Sequence, residues 1–225
     1  GLDAVTSLSV AGRRVRPGKI LCVVRNYAAH AEEMGSMVPE EPVFFLKPTT
    51  SLLPSGGTVL LPPQSSRVEV ECELAVVFSG GGRDIPRQEA MDHILGYAVF
   101  FDITARDLQV KAKQAGLPWT AAKGFDTFGP ISEVTLSDRV GDPMNLGIRL
   151  TGNGEVWQGG TTADMVHGVA DLIVHGSRIM GWERGDILAT GTPAGVHEIR
   201  PGDALVGTIE RVSRLEARVA ARGNL

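Results

Sequence analysis

The sequence is poor in cysteine and aromatic residues, and it has no long apolar run and no excess of basic residues. Two cysteines in 225 residues exclude a disulfide framework or a zinc knuckle. No apolar stretch approaches the roughly 18–20 residues that a membrane-spanning helix needs. With 22 basic and 26 acidic residues the formal net charge is −4, which argues against nucleic-acid binding. Because the first residues also lack a signal-peptide core, we expect a cytoplasmic protein with neither a membrane nor a nucleic-acid partner.

The 28 glycines and 13 prolines divide the chain into many short segments. Strand patterns are found at 19–24, 42–47, 58–62, 68–78, 97–103, 145–154, 185–191 and 202–210. Helical periodicity is limited to 26–35, 86–96, 104–116 and 161–181. Strands outnumber helices and do not alternate with them, so a doubly wound nucleotide-binding fold is not expected. The sequence predicts a strand-rich α+β fold, with a folded-over mixed sheet and peripheral helices.

Three glutamates alternate along the segment 68–78 and so lie on one face of the predicted strand: Glu69, Glu71 and Glu73. They could belong to a solvated face of an edge strand, or they could serve a buried site that neutralises them. Asp102, which ends another apolar strand just before a helix, favours the second interpretation. Such a set of oxygen ligands indicates a hard cation, Mg²⁺ or Mn²⁺. Cys72 alternates with the glutamates and should face the packing.

His30 and Glu33 are three residues apart, so on a helix they share a face and can form a hydrogen bond. A carboxylate-oriented imidazole is a common general base, although many such pairs are only surface pairs. Lys123 lies among apolar and glycine neighbours, which predicts partial burial beside an anionic partner.

The segment 104–116 carries Arg106 and Gln109 on one helical face, where the guanidinium could bind a substrate carboxylate or could simply be exposed. Thr104 and Asp107 have capping-box-like spacing at the start of this helix. The Thr/Gly turn at 189–196 could present hydroxyls and backbone N–H groups to an anion. It lacks the Gly-Lys-Ser/Thr of a phosphate loop, so ATP binding is not indicated.

Seven segments, taken together and in this order, resemble the fumarylacetoacetate hydrolase family. They are "RNYAAHAEEMG", "EPVFFLKP", "EVECELAVVF", "GYAVFFDITARDLQ", "GLPWTAAKGFDTFGPIS", "NGEVWQGGTTADM" and "GDILATGTPAGV". The resemblance covers roughly residues 18–215 and is to the small single-domain members that resemble acylpyruvate hydrolase and oxaloacetate decarboxylase. It implies a mixed β-roll or β-sandwich with a few peripheral helices, in a homodimer. The expected division is a short N-terminal extension or strand over 1–17 and a single catalytic domain over 18–225.

The resemblance also implies a residue-by-residue site. Glu71, Glu73 and Asp102 would hold the divalent cation, Mg²⁺ or Mn²⁺. Catalytic roles would fall on Lys123 and on His30 with Glu33, the last two on a lid that orders on substrate binding. Substrate contacts would come from Arg25, Arg106, Gln109 and Thr192. Glu69 lies outside this set and is expected to be a bystander, and the continuation around His197 departs from the usual family pattern.

The activity that the resemblance implies is metal-dependent C–C cleavage of a small 2-oxoacid. Hydrolysis of acylpyruvates, of the acetylpyruvate or fumarylpyruvate type, to pyruvate and a carboxylic acid ranks first, through an enolate that the cation and Lys123 stabilise. Oxaloacetate decarboxylation is close behind, and isomerisation or decarboxylation of 2-hydroxymuconate-type acids is a further alternative. From a different class, a non-catalytic carboxylate-binding protein on the same fold remains open.

Overall fold

The fold is described by a computed structural model, which covers residues 6–223. The first five residues of the expected N-terminal extension and the last two of the expected domain lie outside this range. The strands are β1 Leu8–Val10, β2 Arg13–Val15, β3 Ile20–Val23, β4 Phe44–Lys47, β5 Leu52–Pro54, β6 Thr58–Leu61, β7 Val68–Phe78, β8 Ile94–Ala105, β9 Gly129–Ile131, β10 Thr135–Leu136, β11 Gly147–Gly152, β12 Glu155–Thr161, β13 Ile187–Ala189, β14 His197–Glu198, β15 Ala204–Ile209 and β16 Ser213–Ala221. The α-helices are α1 Ala28–Glu33, α2 Arg106–Ala115, α3 Thr120–Lys123, α4 Ser137–Val140 and α5 Val169–Ile179. Short 3₁₀ turns occupy Thr49–Ser51, Arg87–His93 and Thr162–Asp164.

Two mixed sheets form the body of the protein. The larger has the order β4-β3-β13-β7-β8-β9-β5, with β10 added to β8 and β14 to β7. The smaller has the order β12-β11-β15-β16-β6, and β1 and β2 form a separate hairpin. Both sheets combine antiparallel with parallel pairs, such as β13 with β3 and β16 with β6. This architecture confirms the predicted strand-rich α+β fold with peripheral helices.

The long antiparallel pair β7–β8 lies at the centre of the larger sheet, and its two faces differ. One face of β7 is apolar throughout and belongs to the main core between the two sheets: Val70, Cys72, Leu74 and Val76. The opposite face is divided along its length. Its second half, Ala75 and Val77, packs in a smaller apolar cluster with the β1–β2 hairpin, whereas its first half carries the three glutamates. The fold thus places charge at one end of a strand that is buried over its whole length.

The predicted elements are recovered with three local differences. Helix α2 is not capped by Thr104 and Asp107, because the Thr104 hydroxyl bonds to Lys123 and the Asp107 carboxylate bonds to Ser65 and Ser66. The predicted helix 86–96 is only a 3₁₀ turn, since residues from Ile94 onward pair with β7 instead.

The predicted helix 161–181 starts late, at Val169. The chain before it is held out of the helix by Asn26, whose side chain accepts a hydrogen bond from the His167 N–H and donates one to the His167 carbonyl. Asn153 and Gly154 form the turn between β11 and β12, with φ of 54° and 83°, as a type I′ hairpin turn requires. Among residues 6–223, none of the helices is both long and apolar enough to cross a bilayer.

The smaller sheet packs tightly against the larger one at Gly207 of β15. A Cβ atom at this position would lie 2.5 Å from the ring of Phe101 and 3.1 Å from the Cys72 sulfur. Both neighbours are fully buried, so they have little room to move.

We therefore expect Gly207→Ala to lower the free energy of unfolding by about 1–3 kcal/mol, as overpacking of a tight core does. Gly159→Ala is the matched control, because a Cβ atom there meets nothing within 4 Å. Urea unfolding of both variants measures the difference. Equal stability of the two variants would contradict this account of the sheet packing.

Candidate active site

Glu71, Glu73 and Asp102 meet on one face of the β7–β8 pair. Glu71 lies directly opposite Asp102 in the antiparallel register, and Glu73 follows two residues later on the same face. One carboxylate oxygen of each residue lies within 4.8 Å of the others, and all three side chains are buried. The strand register thus brings together the three acidic residues that the sequence singled out.

Two lysines neutralise Asp102 from opposite sides. Lys47 Nζ donates to Asp102 Oδ1 at 2.8 Å, and Lys123 Nζ donates to Asp102 Oδ2 at 2.7 Å. Both lysines are buried, and Lys123 Nζ also lies 3.7 Å from Glu71 Oε2. Burial lowers the pKa of Lys123, but the charges of Asp102 and Glu71 outweigh it and the pKa is raised, so the ammonium stays charged.

Arg106 has all sides of its guanidinium occupied by neighbours. Its Nε donates to Glu69 at 2.6 Å, one terminal nitrogen donates to Glu71 at 2.5 Å, and the other donates to Gln109 at 2.6 Å. Glu69 is therefore not a bystander: it is buried and holds Arg106 against the acidic cluster. Burial raises the pKa of Glu71, but Lys123 and Arg106 reverse this and keep the pKa below its usual range.

Glu73 differs from its neighbours because no cation in the described part of the chain lies within salt-bridge distance of it. Its hydrogen bond comes from the backbone N–H of Gly191, at 3.1 Å. Burial, together with the charges of Asp102 and Glu71, raises the pKa of Glu73 well above its usual range. Gly191 can approach this closely because it has φ of 97° and its missing Cβ would lie 2.9 Å from Asn26.

The acidic cluster therefore fits a divalent cation on chemical grounds. Lys47, Arg67, Arg106 and Lys123 pair with Glu69, Glu71 and Asp102, whereas Glu73 has no cationic partner among residues 6–223, which leaves its charge unmatched. Oxygen ligands from carboxylates are those that Mg²⁺ and Mn²⁺ prefer. A cation among the three carboxylates would supply the missing positive charge.

His30 and Glu33 lie on the short helix α1, which covers the cluster. His30 is 5% exposed, and its Nδ1 lies 3.3 Å from Glu33 Oε2. Glu33 also accepts hydrogen bonds from the Gly195 N–H, at 3.0 and 3.2 Å. This contact holds α1 against the 189–196 turn.

A pocket joins these groups beneath α1. Its lining includes Arg25, His30, Glu71, Arg106, Gln109, Lys113, Trp119 and Lys123. The cavity volume is about 30 Å³, which leaves room for about two water molecules.

Thr192 and Arg25 are placed differently from the other predicted substrate contacts. The Thr192 hydroxyl donates to the Cys72 carbonyl at 2.7 Å and accepts from Gln158 at 2.9 Å, so protein groups already use it. Arg25 lines the pocket beside His30, and its backbone is left-handed, with φ of 49°. The substrate-binding roles of Arg25, Arg106, Gln109 and Thr192 and the catalytic roles of His30, Glu33 and Lys123 all stay predictions.

Comparison with known proteins identifies the family. The profile described as "Fumarylacetoacetate (FAA) hydrolase C-terminal" matches residues 19–220 of this chain. The chain belongs to the fumarylacetoacetate hydrolase family. The resemblance seen in the sequence is therefore confirmed.

Relatives within the fumarylacetoacetate hydrolase family carry several activities. The chain is 49% identical to the mitochondrial oxaloacetate tautomerase of Arabidopsis thaliana, over 91% of this chain and 92% of that one. It is 45% identical to the mitochondrial oxaloacetate decarboxylase of Dictyostelium discoideum, over 83% and 86%. The crystal structure of fumarylpyruvate hydrolase from Pseudomonas aeruginosa in complex with Mn²⁺ and pyruvate superposes with a TM-score of 0.92, at 36% identity, over 98% of this chain and 97% of that one. The chain is thus a member of an enzyme family.

Three residues around the site were missed by sequence reasoning: Lys47, Asn26 and Gln158. Lys47 ends an apolar strand, which is the signal that marked Asp102, and it could have been found in this way. Gln158 donates to Thr192 and accepts from the Cys72 N–H. Nothing in its local sequence distinguishes it from a surface glutamine, since this contact joins β12 to the other sheet.

The unmatched charge of Glu73 gives a test of the cluster. In the presence of a chelator, Glu73→Gln should raise the free energy of unfolding by about 1 kcal/mol, because it removes a buried, uncompensated carboxylate. With Mn²⁺ at 100 times its dissociation constant, the parent protein should gain about 2.7 kcal/mol. The free energy that Glu73→Gln gains from Mn²⁺ should be far smaller, because this variant lacks one carboxylate ligand to the metal.

Thermal unfolding with EDTA and with Mn²⁺ measures both effects. Glu32→Gln, an exposed change on α1, is the control and should behave as the parent does. A Glu73→Gln variant that is stabilised by Mn²⁺ as strongly as the parent would exclude Glu73 as a ligand.

Proposed function

We propose that the chain is a Mg²⁺- or Mn²⁺-dependent enzyme that cleaves a C–C bond of a small 2-oxoacid, with hydrolysis of acylpyruvates to pyruvate and a carboxylic acid as its main reaction. The observation that carries the proposal is one pocket lined by His30, which pairs with Glu33, by the charged Lys123 and by Glu71 of the buried acidic cluster. The Mn²⁺ and pyruvate of the fumarylpyruvate hydrolase complex support the same choice of cation and substrate type.

Glu71, Glu73 and Asp102 would hold the cation, which would supply a Lewis acid at the 2-oxoacid end of the substrate. Lys123, whose ammonium stays charged in the pocket, stabilises the negative charge that develops on the 2-oxygen as the enolate forms. The three carboxylates are buried, so bulk water is kept away from this end of the substrate.

His30 acts as the general base, and Glu33 orients its imidazole. His30 takes a proton from a water molecule, whose oxygen attacks the distal carbonyl carbon. The C3–C4 bond then breaks, its electron pair remains on the pyruvate fragment as the enolate, and the proton on His30 returns to C3. The products are pyruvate and the carboxylic acid.

Tautomerisation or decarboxylation of oxaloacetate is the second candidate, and a specific observation favours it. The relatives with these names are 49% and 45% identical to the chain, against 36% for the fumarylpyruvate hydrolase. In tautomerisation His30 would take the proton from C3 and return it to the 2-oxygen. In decarboxylation the C3–C4 bond breaks with loss of CO₂, and no attacking water is needed.

The dimer, the location and the division of the chain stay predictions. A homodimer and a split into an extension over 1–17 and a catalytic domain over 18–225 follow from the family resemblance, and sedimentation analysis would test the first of them. The cytoplasmic location follows from the sequence alone.

Removal of the metal tests the first step of the proposal. Dialysis against EDTA should abolish turnover of acetylpyruvate, fumarylpyruvate and oxaloacetate, and added Mg²⁺ or Mn²⁺ should restore it, because the substrate end lacks its Lewis acid without the cation. Full activity in EDTA would contradict the metal-dependent mechanism for all three substrates.

Replacement of His30 separates acylpyruvate hydrolysis from oxaloacetate decarboxylation. His30→Ala should lower kcat for acylpyruvate hydrolysis by roughly 10²–10⁴-fold, because the attacking water loses its base. The kcat for oxaloacetate decarboxylation should fall far less, because that reaction needs no attacking water. Mn²⁺ should still raise the unfolding temperature of the variant. His197→Ala, an exposed change outside the pocket, is the control. Hydrolysis of acylpyruvates by His30→Ala at the parent rate would exclude His30 as the base.

A further inference from the structure

Four cationic side chains line the pocket, and the acidic cluster accounts for only two of them: Arg25, Arg106, Lys113 and Lys123. Arg106 pairs with Glu69 and Glu71, and Lys123 pairs with Asp102 and Glu71. Arg25 and Lys113 have no carboxylate within salt-bridge distance in residues 6–223. The pocket thus contains two positive charges that the protein itself leaves unpaired.

Arg25 is held in an unfavourable backbone conformation. Its φ of 49° is left-handed, a conformation that residues other than glycine rarely adopt. The chain is fixed on both sides: the Val24 N–H donates to the Val43 carbonyl at 2.8 Å, and the Asn26 side chain donates to the Thr190 carbonyl at 3.0 Å. The Arg25 Nε is buried and has no hydrogen-bond acceptor. A strained residue with an unused donor in a pocket is typical of a ligand-binding position.

Lys113 stands at the mouth of the same pocket. It lies on α2, seven residues after Arg106 and four after Gln109, so the three residues share one face of the helix. Its ammonium lies 5.2 Å from the centre of the Trp119 ring, which holds it over the pocket entrance. Lys113 is exposed at its outer side, and its partial burial, followed by the nearby charges of Arg25 and Arg106, lowers its pKa. Arg25 and Lys113 thus line one pocket, carry like charges and have no carboxylate partner among the described residues.

We infer that Arg25 and Lys113 form a subsite for the second carboxylate of a dicarboxylate 2-oxoacid. The inference rests on the proposed function, because it concerns the distal end of the same substrate. The buried cluster with Lys123 takes the 2-oxoacid end, and the distal carboxylate then lies against the Arg25 guanidinium and the Lys113 ammonium. Charge-assisted hydrogen bonds of this kind are the strong ones, and the anion removes the repulsion between the two cations.

An apolar groove next to the pocket offers a different distal partner. It has a volume of about 460 Å³ and shares Val24, Phe45 and Trp119 with the pocket. An apolar acyl tail would lie there, behind the Phe45–Trp119 ring pair, whose centroids are 5.6 Å apart. A distal carboxylate is favoured over an apolar tail, because an apolar tail would leave the Arg25 and Lys113 cations without an anionic partner.

The test compares substrates that share the bond to be cleaved and differ in distal charge. For the parent, Arg25→Met and Lys113→Met, kcat/KM is measured with fumarylpyruvate, a dicarboxylate, and with acetylpyruvate and hexanoylpyruvate, which are monocarboxylates. The ratio of kcat/KM for fumarylpyruvate to that for acetylpyruvate should fall about 10-fold or more in each variant. Arg25→Lys should retain most of the ratio, because it keeps the charge. Lys111→Met, an exposed charge on the same helix outside the pocket, should leave the ratio unchanged.

A binding measurement keeps the inference separate from the proposed reaction. Calorimetric titration of the Mn²⁺-loaded parent should give tighter binding of 2-oxoglutarate than of 2-oxobutyrate, and Lys113→Met should remove most of this difference. Absence of turnover with preserved dicarboxylate preference would contradict only the proposed function. Three results would overturn the subsite. The first is an equal fall of kcat/KM for fumarylpyruvate and acetylpyruvate in the variants, and the second is a parent protein without dicarboxylate preference. The third is a preference for hexanoylpyruvate that Lys113→Met does not change.

Discussion

Two carboxylates that face each other across the central strand pair, Glu71 of β7 and Asp102 of β8, determine the arrangement of the groups around them. Neither can stay charged and buried without positive partners, because removal from water costs several kcal/mol per ion. The strand register makes them neighbours, and the partners come from elsewhere in the chain: Lys47 from β4, Lys123 from α3 and Arg106 from α2. The cluster thus ties three peripheral elements to the middle of the larger sheet, and the fold and the site share one set of contacts.

The negative charge of the acidic cluster is not fully balanced, because Glu73 has no cationic partner among the described residues. This missing positive charge has a chemical consequence. A protein that needed only stability would place another cation or an apolar residue at this position, since buried ion pairs add little to stability compared with good packing. The chain instead gives Glu73 a single backbone N–H from Gly191. The geometry is that of a preformed site in which the missing charge comes from a bound cation, so the stability of this region is coupled to metal binding.

Sequence reasoning succeeded where a local pattern fixes the geometry. The period-2 pattern of the segment 68–78 predicted β7 with its observed bounds, and it placed Glu71 and Glu73 on one face and Cys72 on the other. It failed where distant groups compete for a side chain. Thr104 matches a helix cap locally, but its hydroxyl bonds to Lys123, which lies 19 residues further along the chain. The role of Glu69 was missed for the same reason, since only the folded chain shows that Arg106 needs a second carboxylate.

The division of the site into a buried end and a mouth explains how related chains can differ in reaction. The β7–β8 cluster, with Lys123 and the His30–Glu33 pair, can move a proton and stabilise an enolate, whatever is attached beyond C3 of the substrate. Hydrolysis, decarboxylation and tautomerisation differ in that attached group and in the access of water to it. Those features depend on α1, on Arg25 and on the exposed face of α2, which lie outside the rigid strand pair. Specificity can therefore change through a few residues at the mouth, while the buried charges, which also hold the sheet to its helices, stay fixed.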